Sequence, residues 1–471
     1  MRSLGRLALV FVVLASAALA AQRQPVDAAI APFVSTNAPL VAMINARVID
    51  GTGATPREGQ TLVIADGLID AIGAGIPIPP GAVVLDLAGK TVMPGLVMLH
   101  EHLYYPTGPG VYGQLGESFI RLYLAGGVTT MRTGGNVNGF MDLNLKRLTA
   151  AGQKAGPEID ATAPYLNGPN SFVQMRSMEG PADARKQVDY WAGEGATSFK
   201  AYMNITRAEL GAAITEAHAR GIKVTGHLCS VTYGEAADLG IDNLEHGFLA
   251  ATDFVAGKQP DVCPPAATSR AALAALTPES PAFVALAKTL IEKNVALTST
   301  LTVFETFTPG RPMPPGLDVL VAPLKEQFER GFARTSANVN SPYAAIFPKA
   351  MALEYAFAKM GGTLVAGTDP TGGGGVIPGF SNHRQLELLV EAGFTPLEAI
   401  TIGTLNGARY LGRDARIGTL AKGKQADLLI VNGNPATNIA DVRNVETVFK
   451  RGVGFDSAKL IESVKGRVGL W

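Results

Sequence analysis

The chain has 471 residues, 47% of them hydrophobic, which is enough for a large buried core and for two or three domains. Lys plus Arg and Asp plus Glu both number 40, and no basic block interrupts the chain, so the charge pattern excludes a typical nucleic-acid-binding protein. A small molecule is the expected partner, and a homo-oligomer is compatible with this composition.

The N-terminal segment has the pattern of a cleaved signal peptide. Arg2 and Arg6 precede an apolar stretch of about 14 residues, and small residues of the Ala-x-Ala type follow at Ala18 to Ala21. A membrane span needs about 20 apolar residues, so this stretch is too short to serve as one. We therefore predict a signal peptide over residues 1–21, export to the periplasm or the medium, and no membrane attachment after cleavage.

The segments before and after the central region of the chain have the sequence pattern of small antiparallel sheets. Short Val- and Ile-rich runs broken by Gly, Asp and Pro occur at "LVAMINARVID", "QTLVIADGLIDAIG" and "AVVLDLAGKTVMPGL". The same pattern returns near the C-terminus in "QADLLIVNGNP" and "VETVFKRGV". We predict that residues 22–93 and 410–471 together form one β-sandwich domain.

Residues 94–409 alternate between apolar strand-like runs and Ala-, Glu- and Leu-rich helical stretches. The runs include "GVTTMRT", "TSFKAY", "IKVTGHL", "DNLEHGF", "VALTST" and "TLVAGTDP". This alternation is typical of βα units around a parallel sheet, and we predict an α/β fold with a (β/α)8 TIM barrel. Two long Pro-containing segments, residues 247–281 and 303–345, are expected to be lids or oligomer contacts.

The first run of this middle region ends in a His-x-His pair, "PGLVMLHEHLY", containing His100 and His102. Side chains at i and i+2 of a strand lie on the same face, so the two imidazoles would emerge side by side. Neutral imidazoles are common metal ligands. The pair alone is also compatible with a chance arrangement at a strand end.

Four further runs end in residues with metal-ligand or base chemistry, namely Lys200, His227, His246 and Asp369. The carboxyl ends of barrel strands converge on one site, so residues that are distant in sequence become neighbours there. The whole set therefore predicts a metal centre far more strongly than any single member does.

These motifs resemble the binuclear members of the amidohydrolase superfamily. The resemblance includes "GTLAKGKQADLLIVNGNP" and "LLVEAGFTPLEAITIGTLNGARYLG", and it is strongest to imidazolonepropionase-like members and their Xaa-Pro dipeptidase and N-acyl-amino-acid hydrolase relatives. It implies two divalent metal ions, with zinc as the default expectation although these ligand types also suit Mn, Co and Fe. The implied metal ligands are His100, His102 and Asp369 for one ion, His227 and His246 for the other, and an N6-carboxylated Lys200 bridging both.

The chemistry of this assignment follows from the ligand types. A lysine ammonium has only donors and repels a cation, so Lys200 can act as a ligand only after CO₂ converts its amine to an anionic carbamate. Two metal ions can share a hydroxide that attacks a polarised carbonyl, while Asp369 takes the proton and passes it to the leaving amine. We predict an amidohydrolase that cleaves dipeptides or N-acyl amino acids.

Three alternatives remain open at this point. Cyclic amides or lactones are alternative substrates for the same chemistry. A mononuclear deaminase could use the same fold, although a single-metal site has no need of a bridging Lys200. A non-catalytic descendant would not need all six ligand types.

Two departures from the familiar pattern concern the floor of the site. Met98 stands where the first motif commonly has an aspartate, and Thr133 stands where the second strand motif often has one. Because the first two strands are neighbours, we expect a less acidic floor.

Weaker expectations concern substrate contacts and the cysteines. Tyr202 is a candidate oxyanion donor, Arg176 a candidate anchor for a substrate carboxylate, and His383 a candidate pocket residue. His218 is expected on a surface helix.

The two cysteines follow adjacent strands in an exported chain, so we predict a disulfide between Cys229 and Cys263.

Overall fold

The computed structural model describes residues 25–108, 110–169 and 174–469 of the chain. The predicted signal peptide, residues 1–21, lies outside the described residues, and its cleavage stays a prediction. Among the residues that are described, no helix combines the length and the apolar character needed to cross a membrane.

The secondary structure alternates strands and helices through the middle of the chain. The strands are β1 Val34–Thr36, β2 Leu40–Val48, β3 Arg57–Ala65, β4 Leu68–Gly73, β5 Val83–Asp86, β6 Lys90–Pro94, β7 Leu96–Glu101, β8 Tyr104–Gly108, β9 Val111–Gln114, β10 Val128–Thr133, β11 Glu158–Asp160, β12 Ser198–Ala201, β13 Lys223–Gly226, β14 Asn243–Glu245, β15 Ala296–Ser299, β16 Leu364–Ala366, β17 Leu428–Asn432, β18 Val445–Lys450 and β19 Val453–Asp456. The helices are α1 Gly116–Ala125, α2 Gly139–Ala150, α3 Pro181–Glu194, α4 Arg207–His218, α5 Tyr233–Asp238, α6 Ala266–Ala274, α7 Pro281–Glu292, α8 Leu301–Glu305, α9 Ala322–Ala337, α10 Tyr343–Lys359, α11 Phe380–Glu391, α12 Pro396–Thr401, α13 Gly407–Tyr410 and α14 Ser457–Glu462.

Three of the described helices begin at a Thr-x-x-Glu capping box, a helix-start signal of four consecutive residues. Thr206–Glu209, Thr232–Glu235 and Thr395–Glu398 each form a capping box at the start of α4, α5 and α12. In each box the threonine hydroxyl accepts from the backbone N–H three residues later, and the glutamate accepts from the threonine N–H. The free backbone N–H groups at these helix starts are thereby satisfied.

Both ends of the chain contribute to one sheet. Its strand order is β1-β19-β18-β17-β6-β2-β3-β4, with β5 beside β2. The two ends meet where β17 pairs antiparallel with β6, Leu428 opposite Pro94, and where β1 pairs antiparallel with β19. Buried Val41, Leu62 and Phe449 pack in the core of this sheet. The apolar surface of either end is therefore covered only when the other is present.

Eight parallel strands, β7 and β10 to β16, surround the middle of the molecule. They form a three-stranded sheet, β11-β10-β7, and a five-stranded sheet, β12 to β16 in order. On one side the two sheets meet at an isolated bridge between Thr162 and Ser198. On the other side the N–H groups of Thr368 and Asp369 donate to the His100 carbonyl at 3.1 and 3.0 Å.

Six of the eight barrel strands are buried along their full length, and β11 and β13 are buried except at their first residue. Strands covered by helices on one face and a packed interior on the other are expected to be buried in this way. The predicted α/β fold, a parallel-stranded barrel with a β domain built from both chain ends, is confirmed. The hydrogen-bonded ladder around the barrel is interrupted at the two junctions.

The two insertions carry helices of their own. Residues 247–281 include α6, and residues 303–345 include α9 and the start of α10. Both leave the carboxyl side of the barrel, since they follow β14 and β15. Their proposed roles as lids or oligomer contacts remain predictions.

Cys229 and Cys263 form a disulfide with a Cα–Cα distance of 4.9 Å. Cys229 lies two residues after His227, and Cys263 lies in the first insertion, three residues before α6 begins. The bond therefore ties the segment that carries α6 to the loop after β13.

Replacing both cysteines with serine should lower the free energy of unfolding by about 3 to 4 kcal/mol, the chain-entropy value for a loop of about 35 residues. Denaturant titration with and without reductant measures this difference, and the double variant should be insensitive to reductant. Two free thiols in the mass spectrum of the unreduced protein would contradict the pairing.

Candidate active site

The structure brings the six predicted ligands to the carboxyl ends of the barrel strands. They lie on five strands or within three residues of the end of one. His227 is half-buried in the wall of a cavity, and each of the other five is at most 8% exposed. The six are His100, His102, Lys200, His227, His246 and Asp369. Side chains separated by up to 269 positions therefore meet because parallel strands end at one face.

Short distances join these side chains. Nε2 of His102 lies 3.2 Å from Oδ1 of Asp369, and Nε2 of His100 lies 3.0 Å from Nζ of Lys200. The ring centres of His227 and His246 are 4.4 Å apart. His100, His102 and Asp369 can each offer one ligand atom within 4.8 Å of the others, which suits a single metal ion.

The orientation of the imidazoles tests whether the site fits metal ions. Nδ1 of His102 donates to the Gly135 carbonyl at 2.9 Å, and Nδ1 of His246 contacts the Thr300 hydroxyl at 2.8 Å. These contacts turn both Nε2 atoms toward the cluster, the arrangement of metal-ligating histidines. Nε2 of His246 is buried and has no hydrogen-bond partner among the described residues. A metal ion would satisfy it.

Burial keeps the histidines neutral. It lowers the pKa of His102 to about 4 and that of His227 to about 3. A neutral imidazole has a lone pair to give to a metal, whereas an imidazolium has none. The site therefore presents its histidines in the form that binds cations.

Lys200 lies in the middle of the cluster and is only 1% exposed. Its Nζ is 5.7 Å from the centre of the Tyr165 ring. Burial lowers the pKa of its ammonium to about 8. The neutral amine, which is the form that reacts with CO₂, is therefore accessible near neutral pH. A carbamate formed there would supply anionic oxygens, which the surrounding imidazoles do not offer.

Two buried side chains beside His100, Glu245 and Arg132, were not predicted from the sequence. Oε2 of Glu245 lies 2.8 Å from Nδ1 of His100, and Nη2 of Arg132 donates to Oε1 of Glu245 at 2.7 Å. Glu245 and Arg132 are fully or almost fully buried. The available signal was strand alternation, since Asn243 and Glu245 share a face of β14.

Met98 and Thr133 supply no carboxylate at the first two strands. Glu245 contributes one from β14 and contacts Nδ1 of His100, but its charge is paired with the Arg132 guanidinium. The locally less acidic floor at the first two strands therefore stays a prediction.

The cluster of candidate ligands opens into a cavity of about 200 Å³ with aromatic walls. Tyr202 lines it, with its ring centre 4.8 Å from that of Tyr165 and 4.9 Å from that of His227. Phe304 and Phe307, from α8 and the residues after it, form part of the wall. Tyr202 is thus placed where a substrate would lie.

Other predicted contacts lie outside this cavity. Arg176 pairs with Asp183 at 2.9 Å, and its side chain is 54% exposed. Nε2 of His383 donates to the Gly126 carbonyl at 2.7 Å beside a separate cavity. The structure therefore does not bring Arg176 or His383 to the metal cluster. His218 lies on α4 with an exposed side chain, as expected.

Comparison with known proteins gives local matches to several curated enzymes. The dihydroorotase of Pelobacter propionicus is 35% identical over 115 residues, which are 24% of this chain and 26% of that protein. The enamidase of Eubacterium barkeri is 37% identical over 93 residues, 19% of this chain and 24% of that protein. The chain thus matches only about a quarter of the length of these curated relatives.

Solved structures match over nearly the whole chain. A Xaa-Pro dipeptidase with bound methionine superposes with a TM-score of 0.67 and 20% identity, covering 88% of this chain and 100% of that one. Bottromycin amidohydrolase gives a TM-score of 0.69 and 20% identity, covering 94% and 95%. At this identity the likeness concerns the fold.

The sequence profile of the amidohydrolase family matches residues 91–454, which include the barrel strands, all six candidate ligands and the C-terminal strands of the β domain. The predicted resemblance is confirmed. The chain belongs to the amidohydrolase family.

Proposed function

We propose that this protein is an exported amidohydrolase with two divalent metal ions, zinc by expectation, that cleaves dipeptides or N-acyl amino acids. The observation that carries the proposal is the buried cluster of imidazoles around Lys200, in which Nε2 of His246 lacks a partner among the described residues. His100, His102 and Asp369 would hold one ion, and His227 and His246 the other. A carboxylated Lys200 would be shared between them.

Metal ions in such a site supply an activated water and polarise the scissile carbonyl. Asp369 accepts the proton of the water and delivers it to the leaving nitrogen. The Thr371 hydroxyl donates to Oδ1 of Asp369 at 2.8 Å and so fixes the carboxylate. Tyr202 lines the cavity in a position to donate to the oxygen that gains charge.

Support for an acyclic amide substrate comes from the structural neighbour described as a Xaa-Pro dipeptidase. Support for export comes from the leader at residues 1–21 and from the disulfide, since disulfides persist in oxidising compartments.

Cyclic amide or lactone hydrolysis is the second candidate. Lys200 is the only lysine or arginine among the described residues that line the 200 Å³ cavity. Such a cavity suits a small neutral ring.

Metal analysis and substrate screening test the proposal. Purified protein should contain about two metal ions per chain, and the metal-loaded enzyme should hydrolyse members of a panel of dipeptides, N-acyl amino acids, cyclic amides and lactones. Asp369→Asn serves as the control for contaminating hydrolases. One ion per chain would favour the mononuclear deaminase, none would favour a non-catalytic protein, and turnover of the rings alone would favour the second candidate.

A further inference from the structure

A second cavity, of about 280 Å³, adjoins the metal cavity. His227 and Phe304 line both cavities, so the two share a wall next to a predicted metal ligand. The second cavity is mostly apolar, with contributions from Met203, Leu228, Leu249 and Ile346. A substrate held at the metal cluster therefore has a neighbouring space for an apolar group.

Arg270 lines this second cavity and has no acidic partner in the described part of the chain. Arg270, on α6, is half-buried, and no acidic side chain among the described residues lies within 4.0 Å of its guanidinium nitrogens. Its guanidinium carbon is 5.9 Å from the centre of the Tyr343 ring, which also lines the cavity. The adjacent Ser269 hydroxyl is buried and lacks a hydrogen-bond partner among the described residues.

These features suit a carboxylate. A guanidinium donates through a planar fork that matches a carboxylate, and a serine hydroxyl can donate a further hydrogen bond. Among the described side chains that line either cavity, Arg270 is the only arginine, and Lys200 belongs to the metal cluster.

We propose that the second cavity is the subsite for the amino-acid part of the substrate, with its side chain against the apolar wall and its carboxylate on Arg270. This assignment rests on the proposed amide hydrolysis, and it gives Arg270 the anchoring role that Arg176 cannot fill from its exposed position. The Cys229–Cys263 disulfide supports the subsite, because it holds the segment before α6 against the loop after His227.

The kinetic test compares one N-acyl amino acid with its C-terminal carboxamide. Arg270→Gln should lower kcat/KM for the free acid about ten-fold or more, the effect of losing a charge-assisted hydrogen bond, and should change kcat/KM for the carboxamide by less than about two-fold. Arg270→Lys should recover part of the loss. Arg176→Gln, the matched control, should change neither. Equal losses on both substrates, or none, would overturn the subsite.

A binding test does not depend on hydrolysis. With metal-loaded protein, calorimetry compares 4-phenylbutyrate with 4-phenylbutan-1-ol, neither of which has an amide. Arg270→Gln should weaken the carboxylate about ten-fold and leave the alcohol unchanged. If Arg270→Gln weakens only the carboxylate but the enzyme hydrolyses no amide of the substrate panel, the proposed function is refuted and the carboxylate subsite stands. Amide turnover with both probes unaffected by Arg270→Gln would refute the subsite and keep the function.

Discussion

Lys200→Ala should lose metal and lower turnover by about a thousand-fold or more. Metal-ion catalysis contributes several kcal/mol, and about 1.4 kcal/mol corresponds to a ten-fold change in rate. Lys200 lies 3.0 Å from Nε2 of His100 in the middle of the cluster, so its removal takes away the ligand proposed to be shared by both ions. Metal content by elemental analysis and turnover on the best substrate of the panel measure the effect.

Small carboxylates provide the decisive control for Lys200→Ala. Formate or acetate in excess should restore part of both metal content and turnover, because a free carboxylate can occupy the space of a lysine carbamate. Lys146→Ala removes a lysine whose Nζ donates to the Gly195 carbonyl at 2.9 Å outside the site, and it should leave both quantities unchanged. Two bound ions and full activity in Lys200→Ala would disprove the bridging role.

Glu245→Ala should destabilise the fold by about 3 to 5 kcal/mol, since it leaves the buried Arg132 guanidinium unpaired. It should also weaken metal binding about 10- to 100-fold, because the carboxylate that contacts Nδ1 of His100 at 2.8 Å is lost. Denaturant unfolding and competition with a chelator measure the two effects separately.

Two further variants separate stability from metal binding. The double variant Arg132→Met/Glu245→Leu removes both buried charges and should recover most of the stability while metal binding stays weak. Glu58→Ala breaks an exposed pair with Arg47 and should change the free energy of unfolding by less than about 1 kcal/mol. Unchanged stability and metal affinity in Glu245→Ala would show that the contact between Glu245 and Nδ1 of His100 does not orient His100 for metal binding.

The sequence by itself indicated most of the barrel strands, the fold class and the candidate ligands, since these depend on local rules. Alternation along a strand places His100 and His102 on one face, and strand ends in a barrel converge whatever the intervening helices contain. The Thr-x-x-Glu boxes likewise specify helix starts from four consecutive residues.

Only the tertiary structure decided which charged side chains serve the site. Glu245 and Arg132 are 113 positions apart, and nothing local indicates that they pair beneath His100. Arg176 lies in an irregular segment and Arg270 on α6, both between barrel strands. Arg176 pairs with Asp183 at the surface, whereas Arg270 lines a cavity. The path of a long insertion depends on side-chain packing between distant segments. For the insertion that carries Arg270, it also depends on the disulfide between Cys229 and Cys263, which are 34 positions apart. Such contacts depend on the packed three-dimensional arrangement. Strand patterns could therefore identify the candidate metal ligands, while the contact of Glu245 with His100 and the proposed subsite at Arg270 became visible only in the folded chain.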